Sequence, residues 1–160
     1  PANSPAKETA VLAGGCFWGV DAVFKHVRGV SSVLSGYAGG EARTAQYDRV
    51  GAGDTGHAES VEVIFDPRVV SYDQLLRIFF IVAHDPTQLD RQGPDVGPQY
   101  RSAIFPQDEG QRRAAELAIK RLDQARVYAK DAVTKIEMGQ RFYRAEDYHQ
   151  NYLALHPTQP

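Results

Sequence analysis

The chain has 160 residues, of which 42% are hydrophobic and 24% are charged, and this is enough to bury the core of one globular domain. Its formal net charge is -2 at pH 7 and its Lys and Arg residues are scattered, which argues against a general nucleic-acid-binding protein. One cysteine excludes an internal disulfide framework and a multi-cysteine zinc site, and no apolar run is long enough to span a membrane.

By composition, the chain divides into three parts. Residues 1–8 and 156–160 are rich in proline and polar residues, and we expect a flexible lead-in and a C-terminal tail there. Residues 9–155 form the single predicted domain. We expect a cytoplasmic monomer, and because the chain begins at Pro1 without a methionine, an exported form stays open.

The first predicted elements surround the cysteine. An apolar run over 9–13, ended by two glycines, is typical of a buried strand that feeds a tight turn. Apolar residues over 20–27 recur at helical spacing, so Cys16 is predicted at or just before the start of a helix, which Gly29 closes. A second strand is predicted over 30–37.

Residues 39–56 and 86–100 lack a sustained hydrophobic period, and we expect both to be long loops with a functional role. Between them, an alternating strand is predicted over 57–65, and a helix begins after the N-cap Ser71 and stops near His84. The remaining predicted elements are a strand over 101–105, a helix over 107–127, a strand over 132–138 and a short helix over 145–153.

This order of elements predicts an α+β fold. Two ferredoxin-like βαβ units build one mixed sheet, and the helices pack on one face of it to make a two-layer sandwich. The two long loops are left to carry function.

Small and aromatic residues flank Cys16, in GGCFWG at 14–19. A packing cysteine usually has aliphatic neighbours, so this composition favours a reactive thiol over a buried structural one. The backbone amides at a helix N-terminus lower a thiol pKa from about 8.5, and we therefore expect a thiolate. Phe17 and Trp18 are either both core residues or, as we expect, at least one of them faces a ligand.

Glu59 shares one face of the strand over 57–65 with three apolar residues. A carboxylate there is paired with a cation, exposed at the sheet edge, or held protonated by the loss of its hydration. In the last case it would act as a general acid, a role that typically contributes about 10² to 10⁴ in rate. Its neighbour His57 is expected to hydrogen-bond locally rather than to bind a metal.

Tyr47, Asp95 and Tyr100 lie in the two predicted loops. Their hydroxyl and carboxylate groups can donate to, or orient, a polar atom of a substrate. Loop tyrosines are commonly half-buried, so these residues alone leave a purely structural role open.

Six motifs follow one another along the chain: GGCFWG at 14–19, GYAGG at 36–40, TGHAE at 55–59, FDP at 65–67, HDPT at 84–87 and GPQYRSAI at 97–104. Together they resemble the peptide-methionine (S)-S-oxide reductases, the A class of methionine sulfoxide reductases, over about residues 9–155. The resemblance implies reduction of the S epimer of methionine sulfoxide, free or in proteins, as in protein repair under oxidative stress.

Roles for individual residues follow from the resemblance by position. Cys16 is the nucleophile that attacks the sulfoxide sulfur and becomes a sulfenic acid, and Glu59 protonates the sulfoxide oxygen. The family implies that the substrate-binding residues are Phe17 and Trp18 for the methyl group, and Tyr47, Asp95 and Tyr100 for the oxygen and a site water. It implies neither a metal nor an organic cofactor.

One departure from the family concerns the return of the cysteine to its thiol form. Many relatives carry a second cysteine just before TGHAE or in a C-terminal tail, whereas this sequence has Gly51 at the first position and no cysteine up to Pro160. We therefore hypothesise that an external thiol reduces Cys16 directly. Candidate reductants are thioredoxin, glutathione with glutaredoxin, or a small thiol such as dithiothreitol.

Two other functions stay open on the residues alone. Cys16 with His149 and Asn151 has the order and separation of a cysteine hydrolase, although its local cysteine signature differs and Glu59 would then have no task. A non-catalytic module would bind native or oxidised methionine through the aromatic pair beside the cysteine.

Overall fold

The computed structural model describes residues 6–150 and residue 152. The strands are β1 (Glu8–Gly14), β2 (Val30–Ala38), β3 (Ala58–Phe65), β4 (Arg91–Gln92), β5 (Asp95–Val96), β6 (Ser102–Phe105), β7 (Lys135–Ile136) and β8 (Phe142–Arg144). The helices are α1 (Phe17–Lys25), α2 (Tyr47–Gly51), α3 (Tyr72–Ile78) and α4 (Glu109–Gln124). Within the described residues, none of the helices has the length and apolar character that a bilayer crossing requires.

Six strands form one mixed sheet in the order β7-β6-β1-β3-β2-β8. The pair β6 and β7 is parallel, and the other neighbours are antiparallel. In the central four strands, β6-β1-β3-β2, α1 follows β1 and α3 follows β3, which gives two split βαβ units of the ferredoxin-like kind. The predicted α+β fold with a mixed sheet is confirmed.

The helices pack on one face of this sheet. The alternation of β3 sends Val61, Val63 and Phe65 to that face, where Phe24 of α1 and Leu76 of α3 are fully buried with them. A smaller buried cluster on the other side of the sheet is made of Val11, Ala13, Ala38, Ala58, Ala103 and Phe105. The main core therefore lies between the sheet and the helices, as in a two-layer sandwich.

The start of α3 follows its sequence signature. Ser71 Oγ accepts a hydrogen bond from the backbone N–H of Gln74, and Gln74 Oε1 accepts one from the backbone N–H of Ser71, at 3.1 and 2.8 Å. This capping box satisfies two amides that the first turn leaves free. At its other end the helix widens into a π-helical turn, Phe79–Ala83, before His84, where the sequence predicts its end.

Both predicted long loops contain regular structure. Residues 39–56 include a 3₁₀ turn at Ala42–Thr44 and α2, and residues 86–100 include the β4–β5 hairpin and a 3₁₀ turn at Pro98–Tyr100. Each of these elements has five residues or fewer, so none repeats a hydrophobic period often enough to be recognised.

The last two predicted elements are confirmed only in part. The strand expected over 132–138 is present but limited to β7. Of the helix expected over 145–153, residues 145–150 form only a 3₁₀ turn at Asp147–His149, Tyr152 is helical, and residues 151 and 153 lie outside the described residues. The Gln150 side chain accepts from the backbone N–H of Ser35 and donates to its carbonyl, at 2.8 and 2.9 Å. These contacts hold the segment against the edge of β2, where it forms a 3₁₀ turn at Asp147–His149 rather than an α-helix.

The register of the sheet brings the sequence motifs to one end. Gly14, the last residue of β1, pairs with Ser102, the first residue of β6, and Glu59 pairs with Tyr37 near the end of β2. The β1–β3 register also places Glu59 level with the end of β1. Because β1 leads directly into Cys16, the two candidate catalytic residues lie at the same end of the sheet.

Candidate active site

Cys16 lies at the N-cap of α1, as predicted. Gly15, with φ of +95°, turns the chain sharply between β1 and α1, and a Cβ there would lie 2.7 Å from the side chain of Gln92. The Cys16 thiol is half-buried and makes no capping hydrogen bond, and the backbone N–H of Gly19 donates instead to the Cys16 carbonyl at 3.2 Å. The sulfur therefore lies beside the amides that open the helix without capping them.

The expectation of a thiolate is wrong for the unliganded site. Burial, followed by the charges of Glu59 and Asp95, raises the pKa of Cys16 to about 12, although the amides of Trp18 and Gly19 act in the opposite direction. Two neighbouring carboxylates and the loss of hydration thus outweigh the helix N-terminus. The thiol keeps its proton until a substrate or a proton transfer changes this balance.

Glu59 is the strand carboxyl for which the sequence leaves three environments open. It is only 2% exposed, and its Oε1 accepts a hydrogen bond of 3.1 Å from the backbone N–H of Phe17, the residue after the cysteine. Burial raises its pKa to about 7, with a further contribution from Asp95 that the Phe17 bond partly opposes. Of the three alternatives for this side chain, the structure has the one that makes a proton donor near neutral pH.

Tyr47, Asp95 and Tyr100 gather around the same pair, from α2, β5 and the adjoining 3₁₀ turn. Burial and the Glu59 charge raise the pKa of Tyr47 to about 12, and the same two causes raise the pKa of Tyr100. The Asp95 charge acts on Cys16 and on both tyrosines. Both phenols are therefore hydrogen-bond donors at neutral pH.

The aromatic pair beside the cysteine divides into a buried and an accessible member. Phe17 is fully buried, with ring centroids 5.7 Å from Tyr37 and 6.3 Å from Tyr47. Trp18 is half-buried and lies 6.3 Å from Tyr47 at an interplanar angle of 26°. Tyr152 stacks on Trp18 with ring centroids 3.9 Å apart. Trp18 is thus the member that borders the open part of the site.

His149 packs against the rings of Phe17, Trp18 and Tyr47, and nothing in the sequence predicts these contacts. It is fully buried, and its Nδ1 accepts a hydrogen bond of 3.1 Å from Trp18 Nε1. Its ring centroid is 5.1 Å from that of Phe17 and 4.3 Å from that of Tyr47. Since Nδ1 binds the indole N–H, the pairing with Cys16 that a cysteine hydrolase needs is not favoured, and its third member, Asn151, lies outside the described residues.

Two further side chains hold the loops around the site. Glu146 accepts from the Tyr37 hydroxyl at 2.8 Å and from the backbone N–H of Tyr47 at 3.0 Å, so it fixes the start of α2. His57 bonds locally, as expected, with Nε2 2.8 Å from the carbonyl oxygen of Glu41 and Nδ1 accepting from the amide of Gly40. Among the described residues, no three His, Cys, Asp or Glu side chains lie close enough to share a metal ion.

Comparison with known proteins gives one consistent result. Residues 8–160 match the family described as peptide methionine sulfoxide reductase. Peptide methionine sulfoxide reductase MsrA 2 of Mesorhizobium japonicum is 55% identical over 98% of this chain and 80% of its own length. The crystal structure of reduced Mxr1 from Saccharomyces cerevisiae superposes with a TM-score of 0.90 at 33% identity, covering 96% of this chain and 88% of Mxr1. Mxr1 in complex with Trx2 matches with a TM-score of 0.64 at 25% identity, covering 91% and 84%.

Proposed function

The chain belongs to the peptide methionine sulfoxide reductase family and reduces methionine sulfoxide to methionine, and we propose that Cys16 and Glu59 carry out this reaction on the S epimer. The observation that carries the assignment is the hydrogen bond from the backbone N–H of Phe17 to Glu59. It fixes a buried carboxyl of raised pKa against the turn that bears the thiol, which is the arrangement of a nucleophile beside a proton donor.

The reacting state carries one proton on the pair. Cys16 as thiolate attacks the sulfoxide sulfur, and the proton of Glu59 passes to the sulfoxide oxygen. The attack forms a bond between the two sulfur atoms; the hydroxyl then passes from the substrate sulfur to Cys16 as this bond breaks. The products are methionine and the sulfenic acid of Cys16, so the sulfoxide gains the two electrons that the cysteine loses. In the resting pair this proton lies on Cys16, whose pKa is the higher of the two, so it passes to the Glu59 carboxylate before the thiolate attacks.

Trp18 would contact the methyl group of the substrate, with the buried ring of Phe17 packed behind it at 6.2 Å between ring centroids, and Tyr47 and Tyr100 would orient the substrate oxygen. The two phenols keep their protons, since burial and the Glu59 charge raise their pKa values. Hydrogen bonds from both to a developing hydroxyl favour the transition state over the bound sulfoxide. Asp95 would orient the substrate or a site water from β5.

An external thiol completes the cycle. Residues 1–160 contain no second cysteine, and the loop position that carries one in many relatives is the exposed Gly51 at the end of α2. Two thiols then reduce the Cys16 sulfenic acid to the thiol, releasing water and a disulfide. The complex of the similar protein Mxr1 with Trx2 supports a protein thiol of the thioredoxin class, with glutathione and glutaredoxin as the other candidates.

We also propose that the protein works as a cytoplasmic monomer without a metal or an organic cofactor. A free half-buried cysteine suits a compartment in which thiols are kept reduced.

Turnover of each epimer of a blocked methionine sulfoxide with dithiothreitol tests the proposal. The wild type should reduce the S epimer and leave the R epimer, and Cys16→Ser should reduce neither. No activity of the wild type on either epimer would overturn it. Full binding of the sulfoxide by Cys16→Ser with no turnover by the wild type would point instead to a binding module.

A further inference from the structure

Arg101 is a buried arginine that the reaction itself does not use. It is 7% exposed, and its Nε and Nη2 donate to the two carboxylate oxygens of Glu137 at 2.8 and 3.0 Å. Its remaining contacts are hydrogen bonds from Nη1 to the carbonyl of Pro98 at 2.9 Å and from Nη2 to that of Gly56 at 3.0 Å. One guanidinium thus joins three separate segments of the chain.

The two carbonyls belong to the segments that carry the proton donor and one of the phenols. Gly56 precedes Glu59 by three residues, and Pro98 opens the 3₁₀ turn that ends at Tyr100. The Arg101 guanidinium also lies close to the backbone of Gly39, because a Cβ on Gly39 would be 2.6 Å from Arg101 Nη2. Gly39 also has φ of +104°, so its place in the GYAGG motif has a physical reason.

This contact creates an electrostatic conflict at the site. A guanidinium is a cation, and the three residues from Gly56 to Glu59 place this contact roughly 10 Å from the Glu59 carboxyl. An uncompensated cation at that distance would lower the pKa of a buried carboxyl by about one unit. Glu137 removes the conflict, since its carboxylate binds the guanidinium through two parallel hydrogen bonds in a side-chain pair that is 9% and 22% exposed.

The other groups whose charges interact with Glu59 come from α1, α2, β2, β5 and the 3₁₀ turn before β6; they are Cys16, Tyr47, Tyr37, Asp95 and Tyr100. Of these groups only the charge of Asp95 opposes ionisation of Glu59, and none of them is a cation. An unpaired Arg101 would therefore favour the ionised form of Glu59, which no other group in this set does.

We propose that Arg101 and Glu137 are positioning residues that form a neutral clamp, in which Arg101 ties the segments of Glu59 and Tyr100 together and Glu137 cancels its charge so that Glu59 keeps its proton. The inference rests on the proposed role of Glu59 as proton donor. Neither residue touches the substrate in this scheme.

The pH dependence of kcat/KM, with methionine sulfoxide and dithiothreitol, tests the clamp by charge. We expect an inflection near pH 7, because burial raises the pKa of Glu59 to about 7. Glu137→Gln, which keeps an acceptor oxygen but loses the charge, should move it down by about one pH unit. Arg101→Gln leaves the Glu137 carboxylate unpaired and should move it up, and the double variant should return it to the wild-type position.

The rate of Cys16 alkylation by iodoacetamide gives a second readout that needs no turnover, because the Glu59 charge acts on the thiol. Its pH inflection should shift in the same directions. Asp66→Asn is the matched control, since it removes one charge from the exposed pair with Arg68 at the far end of β3 and should shift nothing.

Inflections that stay in place in folded Glu137→Gln and Arg101→Gln, checked by circular dichroism, would overturn the clamp. Shifts of the same sign in both variants would do so too, since a merely structural role predicts no dependence on the sign of the charge. A wild-type inflection that survives in Glu59→Gln would instead count against the proposed role of Glu59, so the two failures are distinguishable.

Discussion

At the scale of single residues, Cys16 and Glu59 both hold their protons more tightly than free side chains do. The pKa of Glu59 is raised to about 7 and that of Cys16 to about 12, in both cases chiefly by burial. Between these two values the pair carries one proton, held mainly by Cys16, and the proposed mechanism starts from this singly protonated pair. The pair, rather than either residue alone, therefore sets the pH range in which the site works.

We expect kcat/KM of the wild type to rise with pH and reach a plateau above about pH 7, where the pair has lost one of its two protons. In Glu59→Gln this inflection should vanish, and kcat/KM should continue to rise as the Cys16 thiol ionises. Initial rates over a range of pH with methionine sulfoxide give both profiles. Identical profiles for the two proteins would rule out Glu59 as the group that titrates.

The size of the loss at neutral pH separates proton transfer from hydrogen bonding. Glu59→Gln cannot transfer a proton but can still donate a hydrogen bond to the sulfoxide oxygen, and we expect its kcat to fall by about 10². Glu59→Ala can do neither of these, and we expect its kcat to fall by up to about 10⁴. Single-turnover rates measure both. Equal rates for the two variants would remove the acid role.

The proton on Glu59 also links stability to pH. Its pKa is about 7 in the folded protein against an ordinary value of 4.5, so the unfolded chain ionises first and stability falls as pH rises between these values. We expect Glu59→Gln to be more stable than the wild type by about 2 to 3 kcal/mol at pH 8 and equally stable at pH 4. Urea unfolding at both pH values checks this, and a gain that is the same at pH 4 would contradict it.

At the scale of elements, the segment after β8 completes the site that α1 begins. His149 binds the indole N–H of Trp18, and Gln150 fastens the segment to the edge of β2 through Ser35. Burial lowers the pKa of His149, which keeps the ring neutral and its Nδ1 free to accept. The orientation of the Trp18 ring therefore depends on a segment more than a hundred residues away in sequence.

Removing this acceptor should weaken substrate binding more than chemistry. His149→Phe keeps an aromatic ring but loses the hydrogen bond, and we expect KM to rise about 3- to 10-fold with little change in kcat. His149→Asn places an amide oxygen near the position of Nδ1 and should restore KM. An unchanged KM in His149→Phe would contradict the role.

Trp18 is the only tryptophan, so its fluorescence reports the same contact without turnover. The emission of His149→Phe should differ from that of the wild type, and the emission of His149→Asn should resemble it. In a Trp18→Phe background, His149→Phe should have no further effect on KM, because the partner of the hydrogen bond is already gone.

Which elements the sequence predicts depends on how local their causes are. The strand that carries Glu59, the N-cap Ser71 and the helix that begins after Cys16 follow from hydrophobic period and capping chemistry, and all three are confirmed. The helix expected over 145–153 does not form at residues 145–150, because contacts with β2, distant in sequence, determine the path of that segment. The place of His149 against Trp18 has the same distant cause and could not be predicted.

At the scale of the whole molecule, the ferredoxin-like sheet brings to one end residues that lie far apart in the chain. The motifs identify Cys16, Glu59 and their neighbours as site residues, but not the electrostatic balance among them. The thiolate expected from the helix N-terminus is wrong because that argument is local, whereas Glu59 and Asp95 reach the sulfur only through the tertiary fold.

The most direct test of this account is a single turnover without any reductant. Reduced protein is mixed with excess S-epimer methionine sulfoxide, and the methionine released and the mass of the Cys16 peptide are measured together. We expect one methionine per chain and one added oxygen on Cys16, with further turnover only after a thiol is supplied, and neither product in Cys16→Ser. Methionine released without oxidation of Cys16, or repeated turnover in the absence of a thiol, would contradict the central claim.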